Sequence, residues 1–439
     1  MPHSQPAIGI DFGTTNSSVA LAHPNGHVEL VSFPTAHTPT QSFRSVLYLE
    51  QLKQAGRTST KSFTGPAGIE HYLANAGSHP GRLIQSLKSY LPSRTLTGTE
   101  VFGRHYTVED LIARILSDLR AQAELHLQQP IHHATVGRPV RFVGSESDED
   151  DAFALTRLEA AFLHAGFHSV TFEMEPIAAA YTYESTLDRD ELILIGDFGG
   201  GTSDFSLLRV GPGSRTGQRI LGNSGLGLAG DAFDARIVRK LVSPTLGSDS
   251  FEKSYAQAAD RPANIIPAAP AWIYANLERW HYLSFLKTRN VAEILKSARA
   301  RAEEPEKIAA LITLIEEDLG YQLHQAVQRL KIDLSHHEQA QFKFRDGSME
   351  IESTVQRTDF ESWIADQLQS IETCVDNLLA TSGVAAQQID RVFLTGGTSF
   401  VPAVRRIFES RFTAERVRTG NEFTSVAQGL ALRALESSG

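Results

Sequence analysis

The hydrophobic pattern opens on an extended apolar run, Ala7-Ile8-Gly9-Ile10-Asp11-Phe12. Turn residues Gly13-Thr14-Thr15-Asn16 follow, and Ser18-Val19-Ala20-Leu21 resumes the run. Two such runs joined by Gly, Thr and Asn predict a β-hairpin. From 35 to 103 the chain is rich in Ser, Thr, Gly and Pro without a clear period, and irregular structure is expected there. A helical period sets in at 108–126, with Leu111, Ile112, Ile115, Leu116 and Leu119 on one face. Residues 134–139 read as a strand ending in a loop. The acidic stretch 146–151 should open a helix through Leu155, Leu158, Ala161 and Phe162, because carboxylates suit the positive end of a helix dipole. Residues 170–174 predict a strand, and Glu175-Pro176 begins a helix to 184, with proline in a first turn where its missing N–H costs nothing.

A second hairpin repeats the first. Leu192-Ile193-Leu194-Ile195 runs into Gly196-Asp197-Phe198-Gly199-Gly200-Gly201-Thr202-Ser203-Asp204, and Phe205-Ser206-Leu207-Leu208 leaves the turn. Strand, Asp-Phe-Gly, Gly/Thr turn and strand thus occur twice at domain distance, which predicts a duplicated fold with two similar lobes. Residues 243–304 carry Pro262, Pro267, Pro270, Trp272 and Trp280 and then turn helical. A long amphipathic helix or helix pair is expected at 305–334. Two strands follow around the hairpin dipeptide Asp346-Gly347, then a helix at 360–379. Residues 389–395 form a predicted strand, Gly396-Gly397-Thr398-Ser399 a turn, 402–412 a helix and 425–435 the last helix.

The two repeated turns carry the chemistry. Glycine lets the backbone approach a ligand closely, and threonine hydroxyls add donors, so a Gly/Thr hairpin tip can wrap N–H groups around phosphate oxygens. One such turn is an ordinary hairpin, but two copies, each behind an aspartate at the end of an apolar strand, point to a phosphate site. Asp11 and Asp197 at those places can hold hydrated magnesium. The strand–Gly396-Gly397-Thr398-Ser399–helix element places bare backbone at a helix start, which suits a nucleotide sugar and its first phosphate.

Composition narrows the partners. The 439 residues suggest about three globular units at roughly 150 residues each. With 41 basic and 51 acidic residues the net charge is −10, which argues against a general nucleic-acid binder. A single cysteine, Cys374, excludes an intramolecular disulfide framework and a cysteine-based metal cluster. No basic n-region precedes an apolar segment at the start, and no apolar run approaches the roughly 18 residues of a membrane span. A soluble, cytoplasmic chain with no membrane partner is expected.

The motifs resemble the 70-kDa heat-shock chaperone family (DnaK-like), within the actin/sugar-kinase superfamily. GIDFGTTNSSVAL at 9–21 and GDFGGGTSDFSLL at 196–208 are similar to its two phosphate motifs. MEPIAAAYTYE at 174–184 is similar to its first connecting helix, and FLTGGTSFVPAVRRIF at 393–408 to its adenosine motif. LGLAGDAFDARIV at 226–238 and LKIDLS at 330–335 fit as well, all in the family's order. The resemblance implies an α/β, actin-like ATPase fold of two similar, ribonuclease H-like lobes with a nucleotide cleft between them. Lobe I would be 1–190 with an insertion around 35–130, lobe II 191–420 with a helical insertion around 243–340, and 421–439 a C-terminal helix returning to lobe I.

By the same resemblance the ligands are ATP or ADP with Mg2+, with K+ as a further candidate ion. Asp11, Glu175 and Asp197 would hold magnesium through water, with Asp204 nearby. Gly13, Thr14, Thr15, Asn16, Gly199, Gly200, Gly201 and Thr202 would cradle the phosphates. Lys88, in SLKSYLPS, is similar to the family's catalytic lysine, with a solvated surface lysine as the alternative. Glu175, Asp197 and Thr202 would orient the attacking water. Gly230, Lys331, Ser335, Gly396, Gly397, Thr398 and Phe400 would meet the adenosine.

Departures accompany the match. Phe400 stands where the family usually has an arginine stacking on adenine, Ala229-Gly230-Asp231-Ala232-Phe233-Asp234 replaces Gly-Gly-x-x-Phe-Asp, and Gln328 replaces a carboxylate ahead of Lys331. The stretch 197–396 is longer than usual, because of the insertion at 243–304. After Leu435 the sequence carries no linker or β-sandwich, so it resembles the short branch with a nucleotide domain alone. The expected function is slow, Mg-dependent ATP hydrolysis in a chaperone-like protein with an unidentified protein partner or client. A small-molecule kinase of the same superfamily and a non-hydrolysing, nucleotide-gated interaction module are the alternatives. The pairs His132-His133 and His336-His337 are read as exposed or capping residues, since neighbours in sequence point to different faces and seldom share an ion. Cys374 is expected to be a buried, inert thiol.

Overall fold

The computed structural model describes residues 6–35, 38–54, 57–74, 80–184, 186–213, 219–253, 267–278, 283–317, 319–346, 349–419 and 426–437. They fall into two compact units, one of Met1–Gly227, Ile371–Ser399 and Arg406–Gly439, the other of Leu228–Ser370 and Phe400–Arg405. Pro262, Trp280, Gly347, Ser425, Ser438 and Gly439 lie outside the described residues.

The first unit is built on two sheets of the same topology. In one, the strands run Ser169–Met174, His133–Arg138, Ala7–Phe12, Asn16–Ala22 and Val28–Leu30; in the other, Val417–Thr419, Arg391–Thr395, Glu191–Phe198, Ser203–Val210 and Ile220–Leu226. Each has a central strand, Ala7–Phe12 or Glu191–Phe198. Each central strand pairs antiparallel with its own hairpin partner and parallel with a strand from later in the chain. The expected duplication is therefore present at the level of strand order. Both central strands are apolar because they lie inside the core, where Ile8, Ile10, Phe12, Ile193, Leu194 and Ile195 are buried. The fold is α/β and actin-like.

Small residues set how closely the helices approach the first sheet. The helix Val426–Ser437 lays Ala427 and Ala431 against Ala20 and Ala22. A Cβ on Gly9 would stand 2.2 Å from the Ala427 carbonyl oxygen, and one on Gly429 would stand 1.8 Å from that of Ala178. Both glycines are required by backbone contact. Ala178 belongs to the helix Glu175–Glu184, which starts directly after the strand Ser169–Met174, so this seam also fixes where Glu175 stands.

One expectation is overturned. The stretch 35–103 is not irregular: Val46–Gln54 pairs with Arg57–Thr64 and Gly81–Gln85, the helix Gly65–Ala74 lies between, and Gly98–Val101 pairs with Arg104–Thr107. The strand Arg57–Thr64 reads RTSTKSFT, so its extended form rests on β-branched threonines and on pairing with Val46–Gln54. Hydrophobic periodicity is weak there. The helix Val108–Leu127 does begin as its pattern requires, with a reciprocal cap between Thr107 and Asp110. The acidic helix Asp148–His164 is capped by Ser147.

In the second unit, Gly230–Ile237 opens a helix, and Ala271–Leu277, Leu283–Leu286 and Arg289–Arg301 form the helical part of the Pro/Trp stretch. Trp272 is on the surface. The amphipathic segment resolves into a pair, Pro305–Glu316 and Gly320–His336. The hairpin Gln339–Asp346 with Met349–Gln356 alternates cleanly, burying Ala340, Phe342, Phe344, Met349, Ile351 and Val355. The helix expected at 360–379 is two, Arg357–Trp363 and Ala365–Ser382, broken at Ile364.

Candidate functional site

In the first unit the two hairpins carry their carboxylates at equivalent places. Asp11 lies opposite Ser18, and Asp197 lies opposite Asp204, each pair next to the turn. The parallel neighbour of the second central strand puts Thr395 beside Asp197, and its Oγ1 donates to Asp197 Oδ1 at 2.7 Å. Glu175, at the head of its helix, accepts from Lys88 Nζ at 2.8 Å. Lys88 is not a surface lysine, for its side chain is only 8% exposed. It sits in a single helical turn, Leu87–Tyr90, after Ser86, whose φ of 57° turns the chain sharply.

The charges are coupled. Burial and the neighbouring Glu175 and Asp197 push the Asp11 carboxyl up to about 7 against the pull of Lys88. Burial, Asp197 and Glu175 likewise push Asp204 to about 7, although Thr202 hydrogen-bonds it. Burial raises Asp197 too, with Glu175 adding to the shift. Burial would lower the Lys88 ammonium, but Glu175 and Asp11 more than reverse that. Among the described residues Lys88 is the one cation whose attraction to these carboxylates is resolved, a surplus of negative charge that a hydrated divalent ion would offset. Among the described residues no three His, Cys, Asp or Glu side chains stand ready to ligate a metal directly.

The turns are pinned from outside. Ser45 Oγ donates to the Gly13 carbonyl at 2.7 Å and bonds Ser17 Oγ at 2.9 Å, while the Ser45 N–H donates to Thr15 O at 2.9 Å. Arg44 reaches Asn16 Oδ1 at 3.4 Å. In the second hairpin the Gly199 N–H donates to Thr202 O at 2.9 Å, and Gly200 and Gly201 lie at the tip. Gly396 has φ +83°, and a Cβ there would stand 2.0 Å from the Phe198 carbonyl oxygen, so only glycine lets this turn pass the second central strand. Gly397 is open, Thr398 and Ser399 are buried, and Ser399 Oγ closes the turn onto Gly396 O at 2.6 Å. Ser45, Arg44 and Thr395 were not singled out in the sequence. Thr395 adjoins the Gly-Gly turn, so its position was visible, but Ser45 stood in the stretch expected to be irregular.

The remaining candidates belong to the second unit. Lys331 Nζ pairs with Asp234 Oδ1 at 2.7 Å and donates to the Gly230 carbonyl at 3.3 Å. Ser335 Oγ bonds back to Lys331 O, one turn earlier. Burial raises the Asp234 carboxyl, and Lys331 pulls it back. Phe400 is 51% exposed.

The weaker constellations stay structural. His132 stacks on His168 at 4.2 Å, an arrangement adjacent histidines did not reveal, and His133 bonds Ser169 Oγ. His336 ends its helix and His337 caps it. Cys374 is buried, with Sγ 3.1 Å from Ser224 Oγ.

The sequence profile of the Hsp70 protein family matches residues 7–258 and 309–439. The chain belongs to the Hsp70 family. The unmatched 259–308 overlaps the insertion expected at 243–304. Similar curated proteins include Chaperone protein DnaK of Thermotoga petrophila and of Thermotoga maritima, each 26% identical over 428 residues, covering 97% of this chain and 59% of the relative. DnaK of Thermosipho melanesiensis is 24% identical over 430 residues, covering 97% and 58%. This Hsp70 chain therefore spans about 59% of the length of the DnaK proteins it matches. No helix among the described residues is long and apolar enough to cross a membrane.

The carboxylate cluster makes this Hsp70 chain sensitive to pH in a defined direction. Asp11 and Asp204 titrate near 7 when folded, above their value in an unfolded chain. A raised carboxylate stabilises the fold below its unfolded pKa, and that contribution is lost as pH rises through the folded one. Metal-free protein should lose about 1–3 kcal/mol between pH 6 and 8. If magnesium with ADP binds at these carboxylates it would compete with those protons, so any stabilisation by it should be larger at pH 8 than at pH 6. Thermal unfolding in chelator and in Mg-ADP checks both; a metal-free melting temperature that climbs with pH would count against the cluster.

Proposed function

We propose that this chain binds ATP and ADP with magnesium and hydrolyses ATP slowly, as the nucleotide-dependent part of a chaperone-like protein. The observation that carries this reading is the convergence of Lys88, Asp11, Glu175, Asp197 and Asp204 beside two Gly/Thr turns. Backbone N–H groups at Gly13, Thr14, Thr15 and Gly199–Gly201, with the hydroxyls of Thr14, Thr15 and Thr202, would hold phosphate oxygens. Asp11, Glu175, Asp197 and Asp204 would bind magnesium through its waters, where the ion would neutralise phosphate charge. Glu175, Asp197 and Thr202 would orient a water for attack, and Lys88 would stabilise charge as the terminal phosphoryl group leaves.

Gly230, Lys331, Ser335, Gly396, Gly397, Thr398 and Phe400 are the residues proposed for the adenosine. Phe400 can stack without bringing a charge. The repeated sheets support reading 1–190 and 191–420 as two similar lobes, with 421–439 returning to the first. A chaperone-like role and a protein client rest on family membership.

Phosphate release from ATP by the purified chain, abolished by chelator, tests the reading. Millimolar ADP or ATP with magnesium should also raise the melting temperature by several degrees, because ligand binds the folded state alone. No shift and no phosphate would overturn the proposal. A shift without phosphate would leave a nucleotide-gated module, and phosphate transfer to an added sugar would make the chain a kinase.

A further inference from the structure

Lys88 owes its place to a turn of only four residues, Leu87–Tyr90, too short to hold itself by its own hydrogen bonds. The carbonyls that leave this turn point at one buried side chain. Arg157 Nη1 donates to Tyr90 O at 3.1 Å, Leu91 O at 3.0 Å and Ser93 O at 3.1 Å. The other edge of the same guanidinium is gripped by Glu109, Nε to Oε1 at 2.5 Å and Nη2 to Oε2 at 3.3 Å. Arg157 is 6% exposed and lies on the helix Asp148–His164; Glu109 is in the first turn of Val108–Leu127. Leu87 and Leu91, on either side of Lys88, are buried in the core. The planar fork of arginine suits this task, because it satisfies three carbonyls and a carboxylate at fixed angles, whereas an ammonium is one point charge.

We propose that Arg157, braced by Glu109, is a positioning residue that holds the Lys88 turn so that Nζ stays on Glu175 among the carboxylates. Among the described residues the hydrogen bonds of Arg157 go to Glu109 and to the carbonyls of Tyr90, Leu91 and Ser93 and to none of the four carboxylates, so it would act through the backbone of the turn. The proposal rests on the ATPase reading above for its effect on turnover, but not for its effect on the turn.

The test compares Arg157→Ala and Arg157→Lys with the parent, alone and combined with Lys88→Ala. Three quantities are read: ATP turnover, Mg-ADP affinity, and amide exchange of residues 87–93. Arg157→Ala should lower turnover roughly 10- to 100-fold, since a misplacement of about 1 Å costs on that order. Mg-ADP affinity should stay within about threefold, and exchange over 87–93 should quicken. In the Lys88→Ala background the same substitution should change turnover less than about twofold, because the group it positions is already gone. Arg157→Lys keeps the charge beside Glu109 without the fork; it should show the same pattern, and it serves if the alanine variant does not fold. Losses that multiply in the double variant, ADP affinity falling in step with turnover, or unchanged exchange over 87–93 would each overturn the proposal. A parent chain without turnover would defeat the ATPase reading instead, and exchange over 87–93 would still decide whether Arg157 holds the turn.

Discussion

Asp197→Asn is expected to cut ATP turnover by about 10²- to 10⁴-fold while leaving the protein as stable as the parent or more so. Two features of the site force these opposite outcomes. Asp197 Oδ1 accepts from Thr395, and the asparagine carbonyl can accept the same bond, so the parallel strand pair is undisturbed. Burial and Glu175 already push the Asp197 carboxyl above its ordinary value, which means its charge is held against the preference of the fold. Neutralising it removes repulsion. On the proposed function the charge would serve the ligand, by holding the waters of a magnesium ion and orienting a water for attack. Turnover and melting temperature of the purified variant check this together. Turnover within twofold of the parent would remove Asp197 from the site, and a large loss of stability would show that the charge is structural.

The elements that were legible in the sequence are those whose signal is local. The two Asp-Phe-Gly turns, each between apolar strands, located both central strands and both carboxylates, and strand order then bore out the duplication. The helix Val108–Leu127 was legible because its apolar face and its cap agree. What was not legible depends on distant partners. The strand Arg57–Thr64 is nearly all polar and is fixed by the chain it pairs with, Val46–Gln54. Ser45 acquires its role only because the chain returns it to Gly13 and Thr15. Lys88 could be matched to a family motif but not placed, since its burial depends on Glu175, far along the chain, and its turn on Arg157. Arg157 was not singled out in the sequence, where it stands as a polar residue between Leu155 and Leu158. A buried arginine gives no periodic signal, because its side chain is the type that usually marks the solvent face.

Lys88→Ala should lower turnover about 10²-fold or more and, unlike Asp197→Asn, should also destabilise the protein. Lys88 is the one cation among Asp11, Glu175, Asp197 and Asp204 whose attraction to them is resolved, and its ammonium stays charged because Glu175 and Asp11 outweigh the burial that opposes it. Truncating it leaves Glu175 without its 2.8 Å partner in a half-buried position. Removing one member of such a pair costs on the order of 3 kcal/mol. Protonation of the remaining carboxylates can relieve that loss, so the deficit relative to the parent should be smaller at pH 6 than at pH 8. Magnesium should relieve it too, because a divalent ion supplies the positive charge the lysine gave. On the proposed reading the kinetic effect should survive at saturating magnesium, because Nζ would supply a donor to the departing phosphoryl group and not only a compensating charge. Mg-ADP affinity, which involves no terminal phosphate, should therefore stay within about threefold of the parent while turnover collapses. Turnover and calorimetric binding on the same preparation separate these effects: an equal loss in both would mean that Lys88 only holds the site together, and turnover within threefold of the parent would mean that it does not act on the phosphate at all.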